Sequence, residues 1–265
     1  MSRWLLTAIT KPGHYLGQLV APTLLLGAVT LGVSWTYVNS PWYTSFAIAP
    51  GLHSLIGIVI GLLLVFRTNT AYDRWWEGRK ALGDLTALVT TGFLASGCDP
   101  RVLEASRFHL STLGDYLLRH GDSRDELLGH YRAAGALRSS MWAAGVESSS
   151  LDPHFGRVMQ VSANLERIKS TPIPLSYALH IRVSLMVYLM SLPFGLFHDQ
   201  GVWAVPMVML VFYVVAGIEI ISNEIEAPFN GDPNDLPVRA HLEAAVSAME
   251  SAAQGCEPEP QAVHQ

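Results

Sequence analysis

The densest run of charged and aromatic side chains is Phe66-Arg67-Thr68-Asn69-Thr70-Ala71-Tyr72-Asp73-Arg74-Trp75-Trp76-Glu77-Gly78-Arg79-Lys80. Asp73 and Glu77 are four residues apart, as are Tyr72 and Trp76, so a helix here offers a carboxylate face and an aromatic face. Two chemistries are open to such a string. One is structural: charges that pair locally at a membrane boundary, with Trp75 and Trp76 fixing depth. The other is metal chemistry, in which Asp73, Glu77, His180, Glu219, Glu224 and Glu226 gather a divalent ion for a membrane-embedded enzyme. No H-E-x-x-H, nucleophile elbow or phosphate loop focuses that second chemistry. Arg182 lies within an apolar stretch, where an unpaired cation costs about 2.5 to 3.5 kcal/mol on insertion scales. Glu219 and Glu224 are its candidate partners.

These residues are set among long apolar segments. The chain has 265 residues, 50% of them hydrophobic and 15% charged, and its mean hydropathy is above zero, outside the balance of a soluble globular domain. A hydrocarbon core about 30 Å thick needs about 20 helical residues. Four segments meet that length: 19–38, 46–66, 173–197 and 202–221. The first is too long for the core of a signal peptide and reads as a retained span. The second has no charged residue, and Pro50-Gly51 near its start can break the helix and shape an outer vestibule. Pro22 and Pro206 fall inside spans, where proline is tolerated. His53 is polar in an apolar span, which fits either a watery cavity or a bond to a neighbouring helix. Within the second span, Ser54, Gly57 and Gly61 form a stripe of small residues that lets helices approach closely in lipid.

Basic residues give the orientation. Of 17 Lys and Arg, thirteen lie between Arg67 and Lys169, and the short loops 39–45 and 198–201 have none. Because cytoplasmic loops collect Lys and Arg, both termini and the long middle region are expected in the cytoplasm. That region, 67–171, reads as a helical bundle beneath the membrane. One apolar stripe runs through Leu103, Phe108, Leu110, Leu113, Leu117 and Leu118, another through Leu127, Leu128, Tyr131 and Leu137, and a further helix covers Phe155–Ile168. Breaks are expected at Asp99-Pro100, His120-Gly121 and Glu147–Pro153. Residues 240–253 suit a short amphipathic helix, and 254–265 read as a disordered tail. Cys98 and Cys256 have no metal or redox spacing and are expected as free thiols. A net charge of −5 without blocks of one sign sets nucleic acid aside as a partner.

The string from Phe66 to Lys80 resembles the signature of the bestrophin family and its bacterial relatives. Arg67, Asn69, Asp73, Arg74, Trp75 and Glu77 carry it. Thr171-Pro172-Ile173-Pro174-Leu175-Ser176-Tyr177 and Glu224-Ile225-Glu226-Ala227-Pro228-Phe229-Asn230-Gly231-Asp232-Pro233-Asn234-Asp235-Leu236-Pro237 agree with it in order and position. The resemblance covers nearly the whole chain and implies a channel domain over 1–239. The implied fold is all-α, four transmembrane helices plus a cytoplasmic helical bundle, assembled as a homopentamer in a plasma (inner) membrane. Self-association, membrane lipid and permeant ions are then the partners.

In such a ring the second span lines one axial pore, and alignment to the Arg-Trp-Trp string places its apolar neck at Ile58, Leu62 and Phe66. A neck of this kind gates by dewetting. A cytoplasmic constriction is expected from residues around Val146–Val158. The family is known chiefly for chloride and other small monovalent anions, with a cation channel of the same fold as the alternative. In calcium-gated animal relatives the loop after the fourth span is an acidic clasp. Here Asp232 and Asp235 match its positions while Ala227 and Gly231 lack side-chain oxygens. Calcium takes six to eight oxygen ligands, so the expected site is weak and the pair equally suits a capped turn. No other cofactor is expected.

Overall fold

The computed structural model describes residues 14–39, 50–121 and 124–256, which are helical apart from short connections and contain no strand. The helices are α1 (His14–Asn39), α2 (Pro50–Ala95), α3 (Pro100–Leu118), α4 (Arg124–Ala143), α5 (Ser148–Ser170), α6 (Leu175–Gln200), α7 (Ala204–Glu226) and α8 (Val238–Cys256), with a 3-10 turn, Gly201–Trp203, between α6 and α7. Four of them, α1, α2, α6 and α7, are long and apolar enough to cross a membrane. The chain is an all-α membrane protein with four spans. The second span departs most from expectation. No proline interrupts residues 51–95, and its helix continues past Phe66 to Ala95. Residues 46–49 and most of the short loop 39–45 fall outside the described residues, as does the tail from 257.

The chain divides into two compact units. The span unit comprises Met1–Asp73 and Ile173–Glu226. Its core is Leu26, Ile60, Leu185, Leu189, Leu192 and Val208. In lipid there is little hydrophobic drive between helices, so close packing at small residues matters more. A Cβ added at Gly27 would lie 2.7 Å from the Met209 sulfur, and one at Gly57 would lie 2.5 Å from the Tyr188 hydroxyl. His53 is buried, and its Nε2 lies 3.0 Å from the Ser191 hydroxyl. Of its two readings, the bond to a neighbouring helix is the one present.

The bundle unit comprises Arg74–Pro172 and Ala227–Gln265. Leu82, Leu85 and Phe93 of α2 meet Leu110, Leu113 and Leu117 of α3, Leu137 of α4, Leu165 of α5, and Leu242 and Met249 of α8. Asp99 caps α3 by accepting from the Arg101 amide at 2.8 Å, with Pro100 in the first turn. Gly121 ends the α3 region with φ of 90°, a conformation that glycine adopts without penalty. Three expectations need correction. Phe108, Leu128 and Tyr131 are exposed instead of belonging to the buried stripes, because helix phase within a mixed sequence is set by the partners that pack on it. Pro153 lies inside α5, which starts at Ser148, so the break precedes that residue. A disulfide joins Cys98 and Cys256 across 158 residues, in place of two free thiols. A pairing at that separation leaves no local pattern.

Two histidines of the bundle unit are buried without hydrogen-bond partners among the described residues. His109 of α3 stacks on His130 of α4 with ring centroids 4.9 Å apart. Burial pushes His109 down to about 3 and His130 down to about 4. In the folded protein both rings therefore stay neutral where an unfolded chain would protonate them. The stabilisation is complete above the ordinary histidine value near 6.5 and is lost as pH falls toward 4. At about 1.36 kcal/mol per pH unit, each ring costs on the order of 2 kcal/mol of stability between pH 6.5 and 5. Thermal unfolding of the purified protein at those two pH values is expected to show this loss, and His109→Leu/His130→Leu is expected to remove most of the slope.

Candidate functional site

Within the span unit, α2 has one covered and one uncovered face. His53, Ile60, Leu64, Arg67 and Ala71 are buried, at spacings of seven, four, three and four that keep them on one side of a helix turning about 100° per residue. Ile58, Leu62 and Phe66 lie about 180° around from them. Their exposures are 70%, 54% and 55%, so no described helix of the same unit covers this stripe. Asn69 and Asp73, both exposed, prolong the same line. Of the small-residue trio, Gly57 packs on Tyr188 of α6, whereas Ser54 is exposed and a Cβ at Gly61 would meet nothing within 4 Å. The last two therefore flank the uncovered stripe and play no part in packing inside the unit.

Directly after Phe66 the covered face carries charge. The Arg67 guanidinium is fully buried, with Nε 2.8 Å from Oε2 of Glu219 and Nη2 3.3 Å from Oε2 of Glu226. Arg182 of α6 donates from Nε to the other oxygen of Glu219 at 2.8 Å and also bonds Asn223. Thr68 and Ser222 hydroxyls meet at 2.8 Å beside them. Glu219 thus bridges arginines from two helices, and two guanidinium charges face two carboxylates. Arg182 finds the Glu219 partner expected of it. Arg67 was legible as a motif residue only, because its carboxylates stand more than 150 positions away in sequence.

The proposed metal set does not assemble. Glu219 and Glu226 are turned to Arg67, and Glu77 pairs with Arg167. No group of three His, Cys, Asp or Glu suited to a metal occurs among the described residues.

In the bundle unit the rest of the motif is structural. Arg74 donates from Nη1 to the Thr171 carbonyl and from Nη2 to the Ile168 carbonyl, each at 2.8 Å. It thereby satisfies carbonyls that α5 leaves open at its C-terminus, where a cation is also favoured by the helix dipole. The Trp75 indole donates to the Asn234 carbonyl at 3.1 Å. This bond holds the loop that follows α7. Gly78 lets that loop approach, since a Cβ there would lie 3.2 Å from Leu236 and 3.3 Å from Phe229.

Asp235 turns back within this loop and accepts from the amides of Gly231 at 2.6 Å and Asp232 at 3.0 Å. Burial pushes its carboxyl up to about 6. Asp232 points to solvent. Both amides donate to Oδ2 of Asp235, and its Oδ1 has no hydrogen-bond partner among the described residues. Two carboxylates beside Ala227 and Gly231 offer fewer side-chain oxygens than the six to eight ligands that calcium takes, so these residues fit calcium poorly.

Comparison with known proteins gives a consistent result. Residues 1–91 and 124–251 match the family described as Bacterial/Fungal Bestrophin protein. The chain is 34% identical to a voltage-dependent anion channel-forming protein of Nostoc sp., over 72% of this chain and 74% of that one. It is 31% identical to a protein of the same description from Synechocystis sp., over 85% and 84%. Its fold is similar to that of a crystallised variant of a bacterial bestrophin homolog from Klebsiella pneumoniae, with a TM-score of 0.78 at 20% identity, covering 91% of this chain and 99% of that one.

Two substitutions test these assignments. Arg67→Met removes the cation that meets Glu219 and Glu226, so it is expected to cost roughly 3 to 5 kcal/mol, as for other broken buried pairs. Gly78→Val is expected to cost about 1 to 3 kcal/mol by overpacking. Both are read from thermal unfolding in detergent.

Proposed function

The chain belongs to the bacterial and fungal bestrophin family, and from that membership we propose that it is an ion channel, a homopentamer whose α2 helices surround a single axial pore. The enzyme reading falls away with the family, whose relatives are described as anion channel-forming proteins. Ile58, Leu62 and Phe66 form the neck, which closes by dewetting and opens when the ring widens. The permeant species are chloride and other small monovalent anions, in keeping with the description of the relatives as anion channel-forming. The protein sits in the plasma (inner) membrane with both termini cytoplasmic, as the crowding of Lys and Arg between the second and third spans indicates.

The observation that carries this reading is the uncovered line on α2. An apolar stripe on a span without charge proceeds, without becoming covered, into Asn69 and Asp73. A helix that met only lipid would have no use for a polar continuation in register with its apolar stripe. A helix on a water path would, because ions leaving a dry neck need polar groups next to it. Asp73 also favours the second reading, a monovalent cation channel of the same fold, since a ring of carboxylates below the neck attracts cations.

Both are decided by reconstituting the protein in vesicles under a salt gradient. Wild type is expected to reverse near the chloride equilibrium potential, and reversal near that of the cation would establish the second reading. Ile58→Ala/Leu62→Ala/Phe66→Ala is expected to raise conductance severalfold. Unaltered permeation in that variant would show that these side chains face lipid.

A further inference from the structure

Resting on the pore reading above, we infer that Lys80 and Arg157 are the residues that admit anions, opposed by Asp73 and Asp84, so that ion sign is chosen by a balanced polar band apart from the neck. The line of exposed residues on α2 does not stop at Asp73. Lys80, Asp84, Ala87 and Thr91 follow at spacings of seven, four, three and four, and all are exposed. Between them lie the buried positions Ala81, Leu82, Leu85 and Val89 that form the bundle core. Within the bundle unit Lys80, Asp84, Ala87 and Thr91 thus share one exposed face of α2.

In the bundle unit this line borders two adjoining clefts between α2 and α5, of about 430 Å³ and about 200 Å³. Asp84 and Val161 line both clefts. Lys80 and Asn164 close one, and Arg157 and Gln160 close the other. The chemistry of the walls is that of a hydrated passage: amides, a hydroxyl at Thr91 and charged groups over a floor of small apolar side chains.

The charges there are not used by the fold. Glu77, at the edge of the smaller cleft, is bound to Arg167. Lys80, Asp84, Arg157 and Asp73 have no hydrogen bond or ion pair among the described residues, whereas Arg67, Arg74 and Glu77 of the motif are engaged. Two cations and two anions remain, with no net charge. An aqueous lining of that kind selects weakly, and loss of one sign tips it. In a ring each substitution is multiplied by the number of subunits, so a small change per chain becomes a large change in the field on the axis.

The test is the reversal potential of the full-length protein in vesicles under a potassium chloride gradient. Lys80→Gln/Arg157→Gln is expected to lower the chloride-to-potassium permeability ratio at least threefold, and Asp73→Asn/Asp84→Asn to raise it by a similar factor. The charge-conserving Lys80→Arg/Arg157→Lys is expected to keep the wild-type value, which separates loss of charge from loss of fold. The inference is overturned if both neutralised variants reverse where wild type does while the alanine neck variant still changes conductance. In that case the pore reading stands without it. An unresponsive neck variant would remove the pore reading itself, and this inference with it.

Discussion

A guanidinium without solvent contact, held by carboxylates of another helix, sets the rotation of the span that matters. Arg67 has no solvent exposure and meets Glu219 and Glu226 of α7. Unpaired charge at such a place is costly enough to decide which way a helix faces. Turning α2 by a single residue, about 100°, would bring Phe66 or Thr68 to the carboxylates and carry the cation to the surface. Glu219 also takes Arg182 of α6, so one carboxylate ties three helices at one level. The outward direction of Ile58, Leu62 and Phe66 follows from where Arg67 must be.

The remaining packing of the span unit agrees with that rotation at each turn. Gly57 leaves room for the Tyr188 side chain and His53 reaches Ser191, both from the face that carries Arg67. Helices in lipid gain little from burying apolar surface, so close approach at glycine and a few polar bonds supply the specificity that a water-driven core supplies elsewhere. What is left uncovered on α2 is large and apolar near the middle of the span and polar beyond it. An apolar surface of this sort is stable in lipid. In the proposed ring it would lie against its own copies around an axis, where Asn69 and Asp73 on the same line would border the water path.

The spans were legible because hydropathy over twenty residues is a property of the residues themselves. Breaks at Asp99-Pro100 and His120-Gly121 were legible for the same reason: a cap, a proline and a glycine act locally. The pairing of Arg182 with Glu219 could be anticipated, since an intramembrane arginine demands a partner and few carboxylates were available. Arg67 was harder. It stands at the end of a charge-free segment and reads as an interfacial residue like Arg74, whereas the two have opposite fates: Arg67 is buried among carboxylates, and Arg74 caps α5 through the carbonyls of Ile168 and Thr171. Nothing within ten residues distinguishes them. The Cys98–Cys256 bond, the exposure of Phe108 and the hold of Trp75 on Asn234 are likewise decided by partners far along the chain, and no local pattern encodes them. The apolar neck positions, by contrast, came from resemblance, and their spacing alone would have fitted any lipid-facing helix.

The burial of Arg67 also bears on how ions of one sign are chosen. A cation directly after an apolar neck invites the idea of an anion-binding ring, but this one is turned away from the uncovered stripe and neutralised by two glutamates. It therefore contributes little field on the proposed axis. Dehydration in an apolar neck penalises both signs, so neither the neck nor its nearest arginine discriminates. In the proposed pore, discrimination falls to charges that are exposed and unused by the fold, such as Lys80 and Asp84 of α2 and Arg157 of α5. On this proposal gating and selection occupy different stretches of α2. A change in one stretch is then free to leave the other intact.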